Sequence, residues 1–174
     1  MIFESLALAK AFLVQPARLE DDRGFFGRTW CAREFADRGL DPSLSQCSIS
    51  FNKARATLRG LHYQAPPHTE AKLVRCTRGA IFDVIVDLRP ASSTYLRHCA
   101  VTLTEDNRDA IYVPQGCAHG FLTLEDETEV LYQMSTAHVP GAARGVRWDD
   151  PAFGIAWPTV PDVIADRDRT WPLL

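Results

Sequence analysis

Residues 58–88 read LRGLHYQAPPHTEAKLVRCTRGAIFDVIVDL, and an all-β chain is first legible here. Leu58 to Gln64 is extended, and Pro66-Pro67 ends it. Lys72 to Thr77 alternates apolar and polar residues, Gly79 turns the chain, and Ala80 to Leu88 is a strongly β-branched run. Alternation with a period of two, broken by glycine and proline, is the signature of strands joined by turns. The same stretch sets Arg59, His62 and, ten residues after the histidine, Lys72 into apolar surroundings. Charged groups are costly to bury without partners. These three therefore either decorate a solvated face or line a pocket.

The flanking sequence extends the β reading. Gln46 to Phe51 alternates, and further short strands are expected at 99–103, 111–113, 120–124 and 129–134. Residues 1–18 read as a strand or two, and residues 1–20 as an arm. Asp21-Asp22-Arg23-Gly24 is a turn, and Phe25 to Trp30 an aromatic strand. One short helix is expected at 31–38, closed by Gly39. From residue 140 the chain becomes loop-rich and carries Trp148, Trp157 and Trp171. A tail with that much aromatic surface should pack on the body. Short strands at this spacing suggest a β-sandwich or barrel-like double sheet. One domain spans residues 1–174, with no repeat or internal boundary.

The composition narrows the function classes. The 174 residues are 46% hydrophobic and 24% charged, ordinary values for a globular chain. The formal net charge of -3, without a basic run, argues against nucleic acid as a partner. Five cysteines at 31, 47, 76, 99 and 117 form no CxxC pair, which disfavours a disulfide framework or structural zinc. The start, MIFESLALAKAFLV, lacks the basic region of a signal peptide. No apolar run approaches the ~20 residues of a membrane helix. A cytoplasmic protein with no membrane partner is the expectation.

Two segments carry residues suited to chemistry. Pro114-Gln115-Gly116-Cys117-Ala118-His119 sets a tight turn before a strand, an order that resembles the second motif of the cupins, small jelly rolls built as a double-stranded β-helix. Metal-binding cupins add two histidines and a glutamate in a first motif. Here that place reads His62-Tyr63-Gln64, followed by Glu70, and glutamine is a poor transition-metal ligand. Chemistry without a metal needs a base, an acid and a holder for a developing anion. His62 is a candidate base, since an imidazole titrates near neutrality. Lys72 and Arg59 are candidate anion holders, Tyr132 a candidate acid, and Asp168 a carboxylate that could orient the histidine. Taken singly, each has a plainer reading. His62 would be structural, Tyr132 a half-buried strand aromatic, Lys72 an edge-strand charge, and Arg23 half of a surface ion pair.

Taken together, the residues resemble the dTDP-4-dehydrorhamnose 3,5-epimerase family. The matching pieces run in family order over nearly the whole chain: Asp22 to Phe26, Gln46 with Ser48 and Ser50, Leu58 to Gln64, Lys72 to Cys76, and Asp83-Val84 with Asp87 to Arg89. They continue with Ile111 to Phe121, Leu131-Tyr132, Trp148 with Asp150-Pro151, Trp157-Pro158, and Asp168 ahead of Pro172. The resemblance implies a cupin-type jelly roll with one or two short helices and no metal or organic cofactor. It implies a homodimer that exchanges the N-terminal arm, and a 4-keto nucleotide sugar as substrate. It also implies roles. His62 removes a proton next to the ketone, Asp168 completes a dyad with it, Lys72 stabilises the enolate, and Tyr132 reprotonates from the opposite face. Arg23, Arg59 and His119 belong to the substrate pocket.

Three positions depart from the family pattern: Arg28 stands where many members have a glutamate, His138 where a tyrosine stacks on the thymine, and Ser48 where asparagine is usual. With Gln46 they are assigned to the binding end of the pocket. An arginine only donates hydrogen bonds, so it cannot accept one from a base imide. Three alternatives stay open on sequence: an epimerase acting at one carbon, a metal-dependent cupin oxygenase, and a sugar-binding module without catalysis.

Overall fold

The computed structural model describes residues 1–174 and is built almost wholly from strands. In chain order these are β1 (Ile2–Ser5), β2 (Phe12–Gln15), β3 (Arg18–Asp21), β4 (Gly24–Gly27), β5 (Gln46–Asn52), β6 (Thr57–Gln64) and β7 (Lys72–Arg78). There follow β8 (Ala80–Asp87), β9 (His98–Thr104), β10 (Ala110–Val113), β11 (Cys117–Thr123), β12 (Thr128–Met134), β13 (Ala143–Gly145) and β14 (Val163–Ile164). Two sheets face each other. The first has the order β1-β2-β10-β7-β12-β5. The second runs β13-β6-β11-β8-β9, with β14 added parallel to the start of β6.

The alternation in the sequence sorts side chains between the faces. On β8, Ile81 and Ile85 point into the space between the sheets, while Val84 and Val86 point outward. Asp83 and Asp87 fall on the inward set, and both are fully buried. The inward residues of β7, β11 and β12 include Val74 and Cys76, Cys117 and Phe121, and Val130, which close the central core. Each such Leu, Ile or Phe contributes about 1.5–3 kcal/mol by leaving water. The outer face of the second sheet is covered by the tail, through Val146, Phe153 and Trp157.

The outer face of the first sheet carries α1 (Ala32–Ala36), which buries Phe35 against Leu73 and Tyr112. Gly39, at φ 65°, ends that helix and lets Leu40 N–H bond back to Phe35 O. This is shorter than the helix expected at 31–38. A second helix, α2 (Asp166–Arg169), stands where the sequence reads as loop. It is four residues long, DRDR, and so shows no apolar periodicity to read.

The N-terminal residues divide. β1 and β2 form a hairpin inside the chain's own first sheet, where β2 pairs with β10. β3 and β4 form a separate two-stranded ribbon. Its Leu19 and Phe26 are 69% and 73% exposed, so the projecting element is 18–27 rather than 1–15.

Candidate active site

One end of the space between the sheets is polar and open. It is a cavity of about 650 Å³, a usual size for a small-molecule site. The second sheet supplies Arg59 and His62 from β6 and His119 from β11. The first supplies Lys72 from β7, Tyr132 from β12, and Gln46 and Ser48 from β5. His138 and Asp168 complete the wall from the loop after β12 and from α2. These sequence-predicted residues converge. His62 and Tyr132 lie on facing sheets.

His62 and His119 are register partners on neighbouring strands. The two strands approach so closely that a Cβ on Gly60 would lie 2.6 Å from the Gly120 Cα. A Cβ on Gly120 would lie 2.6 Å from Arg59 O. Only glycine fits at either position, and the pairing shifts register there.

His62 Nε2 lies 2.7 Å from Asp168 Oδ1. The other carboxylate oxygen accepts a hydrogen bond from Gly60 N–H at 3.2 Å. β6 has two short partners along one edge, β13 beside residues 62–64 and β14 beside residues 57–58. Asp168 fills the gap between them. Burial alone would raise its carboxyl. The bond and charge of His62, the Gly60 amide and the Arg167 charge more than offset that, and hold it below the usual carboxylate range.

A second dyad lies deeper. His119 Nε2 is 2.9 Å from both oxygens of Asp83. Burial pushes Asp83 upward, against the pull of His119 and Lys72. The Tyr132 ring stands edge-on to His119, with ring centroids 5.9 Å apart. Burial and the Asp83 charge raise its phenol, Arg59 opposing. A phenol raised in this way stays protonated at neutral pH, so it holds a proton and cannot act as a base.

Lys72 is 8% exposed. Its Nζ donates to His62 O at 3.3 Å and lies 3.2 Å from Glu70 Oε1. Gln64 Nε2 donates to the other Glu70 oxygen, to His68 O and to Ala137 O, and Gln64 Oε1 accepts from Val139 N–H. Gln46 Oε1 accepts from His138 N–H at 2.8 Å. Two glutamines therefore pin the loop that carries His138. Arg59 Nε donates to Asn52 Oδ1 at 2.7 Å. Asn52 is buried, and its amide nitrogen is used on Thr128 O and Ser50 O.

Two expected binding residues lie outside this cavity. Arg23 pairs with Asp21 through Nε and Nη2 on the projecting ribbon, its side chain 90% exposed. Arg28 pairs with Glu34, which also holds the N-terminal amine of Met1. Within one chain neither lines the pocket. Asp83, Asn52, Glu70 as the partner of Lys72, and Trp171 are the neighbours that sequence reasoning missed. Asp83 left a signal: a carboxylate inside a β-branched buried run must have a partner. The conceivable metal donors His62, Gln64, Glu70 and His119 are each engaged by protein groups, and no cluster of three His, Cys, Asp or Glu is placed to hold an ion.

Residues 5–174 match the family model described as dTDP-4-dehydrorhamnose 3,5-epimerase. The chain is 39% identical over its whole length to the dTDP-4-dehydrorhamnose 3,5-epimerase of Sinorhizobium fredii, of which it covers 90%. Its structure is similar to the crystal structure of the Bacillus anthracis dTDP-4-dehydrorhamnose 3,5-epimerase with TDP and pyrophosphate bound, with TM-score 0.94, 36% identity and 99% of each chain covered. It is also similar to a 3'-monoepimerase of Streptomyces bikiniensis in complex with dTDP-quinovose, with TM-score 0.88, 32% identity, and 97% of this chain and 85% of that one covered.

Proposed function

The chain belongs to the dTDP-4-dehydrorhamnose 3,5-epimerase family, and on that footing we propose how its cavity carries out the inversion. It is an isomerase, an epimerase of a dTDP-linked 4-keto-6-deoxyhexose. The C4 ketone acidifies the hydrogens on C3 and C5. His62 removes one of them as general base, and Asp168 holds the ring and stabilises the imidazolium that forms. The electron pair moves onto the C4 oxygen, where the Lys72 ammonium stabilises the enolate. Tyr132 returns a proton to the carbon from the other side. His62 then loses its proton to water and Tyr132 regains one. The observation that carries the reading is that base and acid stand on facing sheets. A substrate held between them is reached from both faces, which inversion requires. The residues used are the chain's own, and no cofactor is needed.

Arg59 takes the diphosphate, with its charge uncompensated. Gln46, Ser48 and His138 take the nucleoside end, and His119 lines the sugar end. Arg23 and Arg28 act across a homodimer. The exposed ribbon 18–27 and the open edge of β5, with Ile49 64% and Phe51 44% exposed, are the surfaces a second copy covers. Ribbon exchange releases Arg23 towards the partner's cavity. The enzyme works in the cytoplasm. Its five cysteines are free, and no helix is long and apolar enough to cross a membrane.

Likeness to a monoepimerase keeps a single-carbon reaction as a second reading, since the same base and acid serve either carbon. Proton NMR of dTDP-4-keto-6-deoxyglucose with the enzyme in heavy water separates the two. Loss of the signals at C3 and C5 is expected. Loss at one carbon alone selects the monoepimerase. Binding without exchange at any carbon removes the catalytic reading.

A further inference from the structure

Trp171 follows Asp168 by three residues and lines the same cavity. Its indole occupies the place where a side chain at residue 145 would stand: a Cβ built on Gly145 would collide with Trp171 Cε2 and Nε1. Gly145 is the register partner of His62 on β13. The ring therefore rests on the backbone directly beside the strand position that carries the base. Its Nε1–H is buried and has no acceptor, so what the seat uses is the flat ring and not the polar atom.

The path of the chain around Asp168 shows why this matters. Before the aspartate, β14 is pinned in parallel to Thr57 and Leu58 at the start of β6. The turn itself is four residues long and packs on β6. A helix so short has almost no stability of its own. After the aspartate, the next fixed points are Trp171 on Gly145 and Leu174 N–H on the buried Asp150 carboxylate, at 2.8 Å. The Asp168 side chain is thus set by one anchor upstream, on the strand that carries His62, and one downstream, on the strand paired with it.

We propose that Trp171, seated on Gly145, is a positioning residue that locks α2 so that Asp168 meets His62 in register. Its ring lines the cavity, but its effect on the rate runs through Asp168. The aspartate needs this lock because its hydrogen bonds to His62 and Gly60 demand placement of the carboxylate to within a fraction of an ångström. A displacement of about 1 Å in a catalytic group can cost on the order of 100-fold in rate.

The inference rests on the epimerase reading, and one set of assays separates the two. Wild-type enzyme that exchanges no carbon-bound hydrogen removes the reading. With active wild-type enzyme, Trp171→Ala should lower kcat about 10- to 100-fold while KM and the affinity for dTDP hold. Trp171→Phe should keep most of the rate, because the missing N–H has no partner to lose. Gly145→Ala should push the ring off its seat and lower kcat as Trp171→Ala does. In the Trp171→Ala background the same change should then cost nothing more. Thermal melting and dTDP binding report that each variant is folded. Three results would overturn the proposal: an unchanged kcat in folded Trp171→Ala, a loss of dTDP or substrate affinity as large as the loss of kcat, or additive effects of the two substitutions.

Discussion

Arg59 keeps its charge free for an anion because its tether, Asn52, is neutral. Replacing Asn52 by aspartate keeps the acceptor and adds a negative charge beside the guanidinium. The affinity for dTDP should fall about tenfold or more, each tenfold being about 1.4 kcal/mol. Asn52→Ala should weaken binding less, and both substitutions should cost stability, since either one takes the donor away from Thr128 O and Ser50 O. Titration calorimetry with dTDP checks the order; equal affinity in Asn52→Asp and wild type would remove the diphosphate role. Lys72 answers to a different readout. Lys72→Met should lower kcat on the order of 10²–10³-fold, the usual cost of losing one oxyanion donor, with dTDP binding retained. That His62, Lys72, Tyr132 and Asp168 would meet in one cavity was legible from sequence, because a base, an acid and a cation must be of those chemical types. Their partners were not. Nothing in the sequence ties Glu70 to Lys72 or Arg28 to Glu34, because those pairings depend on where strands and turns place them.

β6 and β11 bring His62 beside His119 only because two glycines meet between them. Gly120→Ala would force its Cβ into Arg59 O and should cost about 1–3 kcal/mol, as overpacking does. It should also lower activity by separating the strands; a variant with wild-type melting temperature and rate would contradict this. The strands were readable from alternation in β7 and from the β-branched run of β8, which is buried on both faces. The helix α2 was not, being too short to show a period. The turn after β8 carries its own acid sensitivity. Despite burial, hydrogen bonds from Arg89, Ser92 and Thr94 hold the Asp87 carboxyl far below its usual value. Asp168 is lowered in the same direction. A folded value below the unfolded value of about 3.9 gives stability that is full above about pH 4 and is lost as pH falls through the folded value. Asp87→Asn should therefore lower stability at neutral pH by about 3–5 kcal/mol and flatten its fall in acid. Denaturant melts between pH 2 and 7 measure both.

The whole molecule places a polar cavity at the open end of an apolar sandwich, with His62 on the wall from one sheet and Tyr132 on the wall from the other. The double-sheet class followed from the spacing of short strands, and the jelly roll from the resemblance to the family. The ribbon at 18–27 did not, since an arm at 1–20 and a projecting hairpin look alike until β1 and β2 are seen inside the sheet. The ribbon makes a prediction of its own. Phe26→Asp should shift the protein towards monomer in analytical ultracentrifugation and lower activity with it; a fully active monomer would contradict a shared site. The opposed walls are tested by hydrogen exchange and inversion measured together, by NMR in heavy water, for His62→Ala and Tyr132→Phe. His62→Ala should lose both, by about 10²–10⁴-fold, the worth of a general base. Tyr132→Phe should keep exchange better than net inversion, because proton removal survives when the donor on the far face is gone. Equal and complete loss of both activities in Tyr132→Phe, or intact exchange in His62→Ala, would contradict the account.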